Sequence, residues 1–238
     1  MQLLPCLLPL GDTALTVQFA DAYTPEAAAR ARGLDRQLAG MDGIVECVPT
    51  LRSLTIHYDP ALLSLRRLTA LLRDLPPAPD EESAGASWSL PICYESEFAP
   101  DLAELATRLG LTPEAVVAIH AGGRYRTAMV GGYPGYPYIA GLDARLAVPR
   151  RTTPRLAVPA GSLAIANAFT AIYPQTVPGG WHILGRTPVP LFDPERLERP
   201  ALIAAGDAVA FRPIPREEFD ALAARFAGGA DPVALCRA

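Results

Sequence analysis

The sequence predicts an α+β protein of two domains, and three observations carry that prediction. Residues 1–74 alternate strand-like and helix-like stretches. Residues 75–87 (LPPAPDEESAGAS) carry no apolar period and read as an extended, solvated linker. Residues 88–238 are dominated, from Tyr125 onward, by short apolar runs broken by Gly and Pro, the pattern of a β-barrel or folded sheet.

In the first domain, residues 2–8 and 13–19 read as strands around the Gly11-Asp12 turn. Thr24-Pro25-Glu26 supplies a cap, a proline at the first helical position and an early acid, with Ala27, Ala31, Leu34 and Leu38 following at helical spacing. Residues 44–49 and 53–58 are expected strands, and Leu62, Leu65, Leu68 and Leu72 line one face of an expected second helix. Strand-bearing segments each followed by a helix predict a small ferredoxin-like α/β domain. After the linker, residues 88–94 form a strand. Asp101 with Glu104 three positions on has capping-box spacing, and Thr112-Pro113-Glu114 opens a helix that delivers His120 near its end. Residues 215–226 close the chain as an amphipathic helix.

Composition bounds the chemistry. Half of the 238 residues are apolar and the net charge is −4, with no basic run, so nucleic acid is an unsuitable partner. All 21 basic residues are arginine. A chain without lysine forms no Schiff base and supplies no P-loop lysine. Cys6, Cys47, Cys93 and Cys236 are widely spaced and read as buried thiols of a reducing compartment. Residues 3–10 lack the charged flank and cleavage site of a signal peptide, and no apolar span reaches membrane length. The expectation is a soluble, cytoplasmic protein with no membrane partner.

Residues 131–188 hold the candidate chemistry, with Arg150, Arg151, Arg155, His182 and Arg186 threaded among Tyr and Trp on proline-stiffened turns. Planar cations so presented suit bidentate contact with a carboxylate, amide or phosphate. Gly179 and Gly180 let backbone approach closely, and Trp181 adds an apolar wall. His57, His120 and His182 have no ligand-spaced companions, so no metal site is expected. A nucleotide-binding glycine motif, a Walker motif and a Gly-x-Ser-x-Gly elbow are all missing.

The segments VPTLRSLTIHYDP, LPICYESEFAPDLAELA, PGYPYIAGLD, VPRRTTPRLAVPAGS, TAIYP, PGGWHILGRTP and GDAVAFRPI, in order from about Gly11 to Ile214, resemble the bacterial family containing the B subunit of ATP-dependent 5-oxoprolinase. That family is also labelled allophanate hydrolase subunit 1 and includes KipI-type kinase inhibitors. The resemblance implies a cyclophilin-like barrel for the second domain, a companion C-type subunit of related fold and a separate A-type subunit. It implies ATP as co-substrate and a small amide or lactam as substrate, 5-oxoproline being opened to glutamate, or a related hydrolase or carboxyltransferase complex. The alternative it carries is a regulator that binds and inhibits a sensor histidine kinase without catalysis. With the resemblance in hand, Arg155 is expected to anchor a carboxylate or oxyanion and His120 to handle a proton. Arg150, Tyr138, Phe169, Thr170, Gly179, Gly180 and Trp181 are expected around the substrate. The sequence departs from the family pattern in three places. Ala168-Phe169-Thr170-Ala171 stands where Gly-Gln-Thr-Gly is usual, Gly132 stands where Phe is usual, and Ala121 follows the histidine in place of Ser.

Overall fold

The computed structural model describes residues 5–76 and 85–238; residue 1, residues 2–4 of the first expected strand and 77–84 of the expected linker lie outside the described residues. The chain forms two compact units, Met1–Ser83 and Ala84–Ala238.

The first unit runs β1 (Cys6–Leu10), β2 (Ala14–Gln18), α1 (Pro25–Leu38), β3 (Ile44–Pro49), β4 (Ser53–Tyr58) and α2 (Leu65–Asp74). Its sheet has the order β1-β2-β4-β3 with every neighbouring pair antiparallel. This is the ferredoxin-like arrangement entered one strand early, giving ββαββα in place of βαββαβ. The Thr24 side chain accepts the Ala27 N–H at 3.1 Å, so the cap, Pro25 and Glu26 set the start of α1 as the sequence predicts. Alternation does the rest. Leu54, Ile56 and Tyr58 of β4 pack with Leu15 and Val17 against Ala31, Leu34, Leu38 and Leu68 of the helices. Leu62 departs from its expected place on α2. Ser64 caps the helix through the Arg67 N–H, which leaves Leu62 in the preceding turn, 64% exposed.

The second unit runs β5 (Ser87–Ile92), α3 (Leu102–Leu109), α4 (Pro113–Ala121), β6 (Tyr125–Val130), β7 (Pro137–Ala140), β8 (Arg155–Val158), β9 (Ser162–Ala166), β10 (Phe169–Ile172), β11 (Val177–Gly179), β12 (His182–Arg186), β13 (Ala208–Pro213), α5 (Arg216–Ala227) and α6 (Pro232–Cys236). Seven strands form one sheet in the order β12-β9-β10-β7-β6-β13-β5, with β13 and β5 parallel. The sheet nearly closes on itself. Cys93 N–H donates to the Arg186 carbonyl at 2.8 Å and Arg186 N–H to the Cys93 carbonyl at 2.9 Å, joining the two edges. The barrel predicted for this region is therefore present.

Leu90, Ile92, Ile139, Leu163, Ile165 and Ile172 fill its interior. The alternate residues Ala164, Ala166 and Ala171 pack outward in a second cluster with Tyr136, Tyr173 and Trp181, beside Val158 and Val177 of the β8–β11 ribbon. Burial on both faces explains why β9 reads SLAIA, with Ser162 at its start and no polar position after it.

Two expectations on this unit need correction. Asp101 heads α3 but its side chain caps no helical N–H, because distant donors claim it. Only Cys93 and Cys236 are buried thiols; Cys47 is half-buried and Cys6 is exposed on the edge strand β1. Among the described residues no helix is long and apolar enough to cross a membrane.

Candidate functional site

Residues 149–155 approach β8 through Pro149 and Pro154, and the stretch is fastened to the turn between β11 and β12. Arg151 N–H donates to the Gly180 carbonyl at 2.8 Å, and His182 Nε2 donates to the Pro149 carbonyl at 3.0 Å. The β8–β11 pairing sets Arg155 opposite Gly179. From there the Arg155 guanidinium turns to Asp101, Nη1 to Oδ2 at 2.9 Å and Nη2 to Oδ1 at 2.6 Å. Arg151 Nη1 reaches Oδ1 at 2.9 Å, and the Ile183 N–H donates to Oδ2 at 2.7 Å. Four donors thus saturate a carboxylate on a residue only 2% exposed. Arg155, expected to hold a ligand anion, is committed to an internal one. Sequence reasoning missed Asp101, since capping-box spacing pointed to a local role.

Arg150 is placed differently. Its side chain is exposed, its guanidinium carbon lies 5.8 Å from the Trp181 ring centroid, and among the described residues it makes no hydrogen bond or ion pair. Trp181, 4% exposed, meets Tyr138 edge to face at 5.8 Å. Tyr138 in turn meets Tyr136 at 5.1 Å and Phe169 at 6.4 Å, both at steep angles. Tyr138 and Phe169 are half-buried, so part of each residue is open to solvent. Below them the Tyr136 and Tyr173 hydroxyls bond each other, Tyr173 also accepts the Trp181 backbone N–H, and burial pushes both phenols above their ordinary range.

The two glycines have unequal duties. A Cβ on Gly179 would stand 2.3 Å from the Tyr173 hydroxyl, whereas a Cβ on Gly180 would meet nothing closer than Pro154 at 3.6 Å. Together these groups form an aromatic floor with one uncommitted cation at its edge. Such a surface suits a small planar ligand carrying a carboxylate.

His120 and Thr170 lie elsewhere. His120 is 0% exposed, stacked on Phe211 at 4.8 Å and beside Tyr125. Thr170 Oγ1 donates to the Ala164 carbonyl at 3.2 Å, so toward His120 Nε2, 3.1 Å away, it accepts. Nε2 therefore carries the proton, and Nδ1 accepts the Tyr94 hydroxyl at 3.0 Å. Burial lowers the imidazole pKa to about 3, which keeps the ring neutral at ordinary pH. Consecutive residues of β10 face opposite sides of the sheet, so Thr170 joins the interior while Phe169 joins the floor. The structure accordingly gathers Arg150, Tyr138, Phe169, Gly179, Gly180 and Trp181. It sets His120 and Thr170 apart from them, and binds Arg155 beneath through Asp101. Two concavities, of about 400 and 290 Å³, lie against Arg196–Leu202 and Arg212–Arg237 and include no expected site residue.

The family described as carboxyltransferase domain, subdomain C and D, matches residues 5–203. The B subunit of 5-oxoprolinase from Bacillus subtilis is 36% identical over 230 residues, covering 89% of this chain and 94% of that protein. Its namesake in Escherichia coli O157:H7 is 35% identical over 219 residues, covering 92% and 99%. The crystal structure of TTHA0988 is 37% identical with a TM-score of 0.76; it covers 84% of this chain, and the match spans only 39% of that longer one. With a family match over most of its length and near full-length relatives above 30% identity, the chain belongs to the carboxyltransferase-domain family of subdomains C and D, alongside proteins named as 5-oxoprolinase B subunits.

Proposed function

We propose that this chain is the B-type subunit of a heteromeric, ATP-dependent 5-oxoprolinase, working in the cytoplasm with a companion C-type subunit of related fold and a separate A-type subunit. The observation that carries the reading is likeness over nearly the whole length of two proteins named as 5-oxoprolinase B subunits. In the reaction the ring amide C–N bond of 5-oxoproline breaks, a water oxygen joins the carbonyl carbon, and the nitrogen departs as the amine of glutamate. The substrate is small, planar at its amide and anionic. Tyr138, Phe169 and Trp181 with Arg150 at their edge match those properties, and Gly179 lets the backbone lie close against Tyr173. His120 and Thr170 serve in this reading as a neutral strut that fixes β10 and so holds Phe169 in place.

A nucleoside triphosphate does not fit this patch. One uncommitted guanidinium would face several phosphate charges, and the chain has no lysine to help. The nucleotide is therefore assigned to the A-type subunit. Co-expression with the products of neighbouring genes, followed by measurement of 5-oxoproline-dependent phosphate release, tests the proposal. Release that requires this chain supports it, and none in any combination removes it.

A further inference from the structure

We infer that Asp101 is a positioning residue of the aromatic patch and that Arg150, rather than Arg155, supplies the contact to a ligand carboxylate. The inference rests on the reading of that patch as a binding surface for a small planar acid, and not on which reaction follows. Asp101 touches the chain at two telling places: Arg151, one residue after Arg150, and Ile183, two residues after Trp181. One buried carboxylate therefore grips both segments that carry the cation and its aromatic partner. The Arg151 N–H to Gly180 carbonyl bond closes the same loop.

A ligand anion at Arg155 would have to displace a bidentate, saturated carboxylate. At Arg150 it meets no such competitor.

The test is calorimetric titration of the full chain with 5-oxoproline and with 5-oxoprolinamide, which keeps the ring and lacks the charge. Wild type should prefer the acid by about tenfold. Arg150→Gln should lose that preference with its melting temperature unchanged. Asp101→Asn should weaken the acid more than the amide; a purely structural Asp101 would weaken both by one factor. Should Asp101→Asn fail to fold, Arg151→Gln removes one strut of the clamp and should show the same differential at smaller size.

Equal binding of acid and amide by wild type, no binding of either, or a retained preference in Arg150→Gln each overturns the inference. An assembled complex without 5-oxoprolinase activity, beside a chain that still selects the acid through Arg150, overturns the reaction proposed above and leaves this site standing.

Discussion

Strand β10 separates two polar neighbourhoods that begin one residue apart. Inward, Thr170 meets His120, and both imidazole nitrogens and the threonine hydroxyl are paired inside a shell of Tyr125 and Phe211. Outward, Phe169 joins Tyr138 and Trp181, and Arg150 at their edge is matched, among the described residues, with a ring face alone. Burial forces the first arrangement, because an orphaned polar atom in the barrel interior costs about 1–3 kcal/mol. Solvent permits the second, since water satisfies Arg150 until a ligand replaces it. A histidine suggests chemistry by its type alone. Its surroundings decide, and here they favour the arginine.

The contrast can be broken most forcefully from inside. His120→Ala leaves a cavity and orphans the Tyr94 hydroxyl, while Thr170 keeps its bond to the Ala164 carbonyl, so urea unfolding should show a loss of about 4 kcal/mol. Asp101→Ala strands two guanidiniums and the Ile183 N–H. Because the arginine side chains are about a quarter exposed, a loss near the low end for a broken buried pair, about 3 kcal/mol, is expected by the same method.

Acid titration sharpens the inner half. The unfolded imidazole titrates near 6.5 and the folded one near 3, so between these values the unfolded chain holds the extra proton. The His120 contribution is full above pH 6.5, falls as the pH drops and is exhausted near pH 3. From pH 6.5 to 5 wild type should lose about 1.6 kcal/mol more than His120→Gln. Gly179→Ala drives a methyl into the Tyr173 hydroxyl and should lower stability by about 1–2 kcal/mol, partly restored by adding Tyr173→Phe. Arg150→Gln should change stability by less than about 0.5 kcal/mol, which thermal unfolding resolves.

Local signals in the sequence carried local structure faithfully. Thr24 caps α1 and the strands at 44–49 and 53–58 fall where alternation puts them, because each depends on neighbours within a few positions. Within the site, Arg150, Tyr138, Phe169, Gly179, Gly180 and Trp181 are the set the resemblance implies, although Tyr138, Phe169 and Gly179 lie on strands rather than turns. Asp101 was not legible, since its partners lie some fifty to eighty positions away and its local spacing advertised a cap. His120 misled in the opposite sense. Its place at a helix end beside Gly122-Gly123 looked open, and only the barrel topology puts Thr170 and Phe211 around it. The ββαββα succession was legible element by element, whereas the sheet order β1-β2-β4-β3 was not, because strand neighbours follow from pairing rather than from succession.

The parallel pairing of β5 with β13 governs how this polypeptide matures on the ribosome. The strand made first in the unit finds its lengthwise neighbour only in the last, and its remaining pairings are isolated bridges, Cys93 to Arg186 and Trp88 to Arg237. A stripe of unpaired backbone along Ser87–Ile92 therefore waits while almost everything between the two strands is synthesised. A nascent chain arrested before Ala208 would display that stripe to chaperones, and release from them should coincide with the emergence of Pro213.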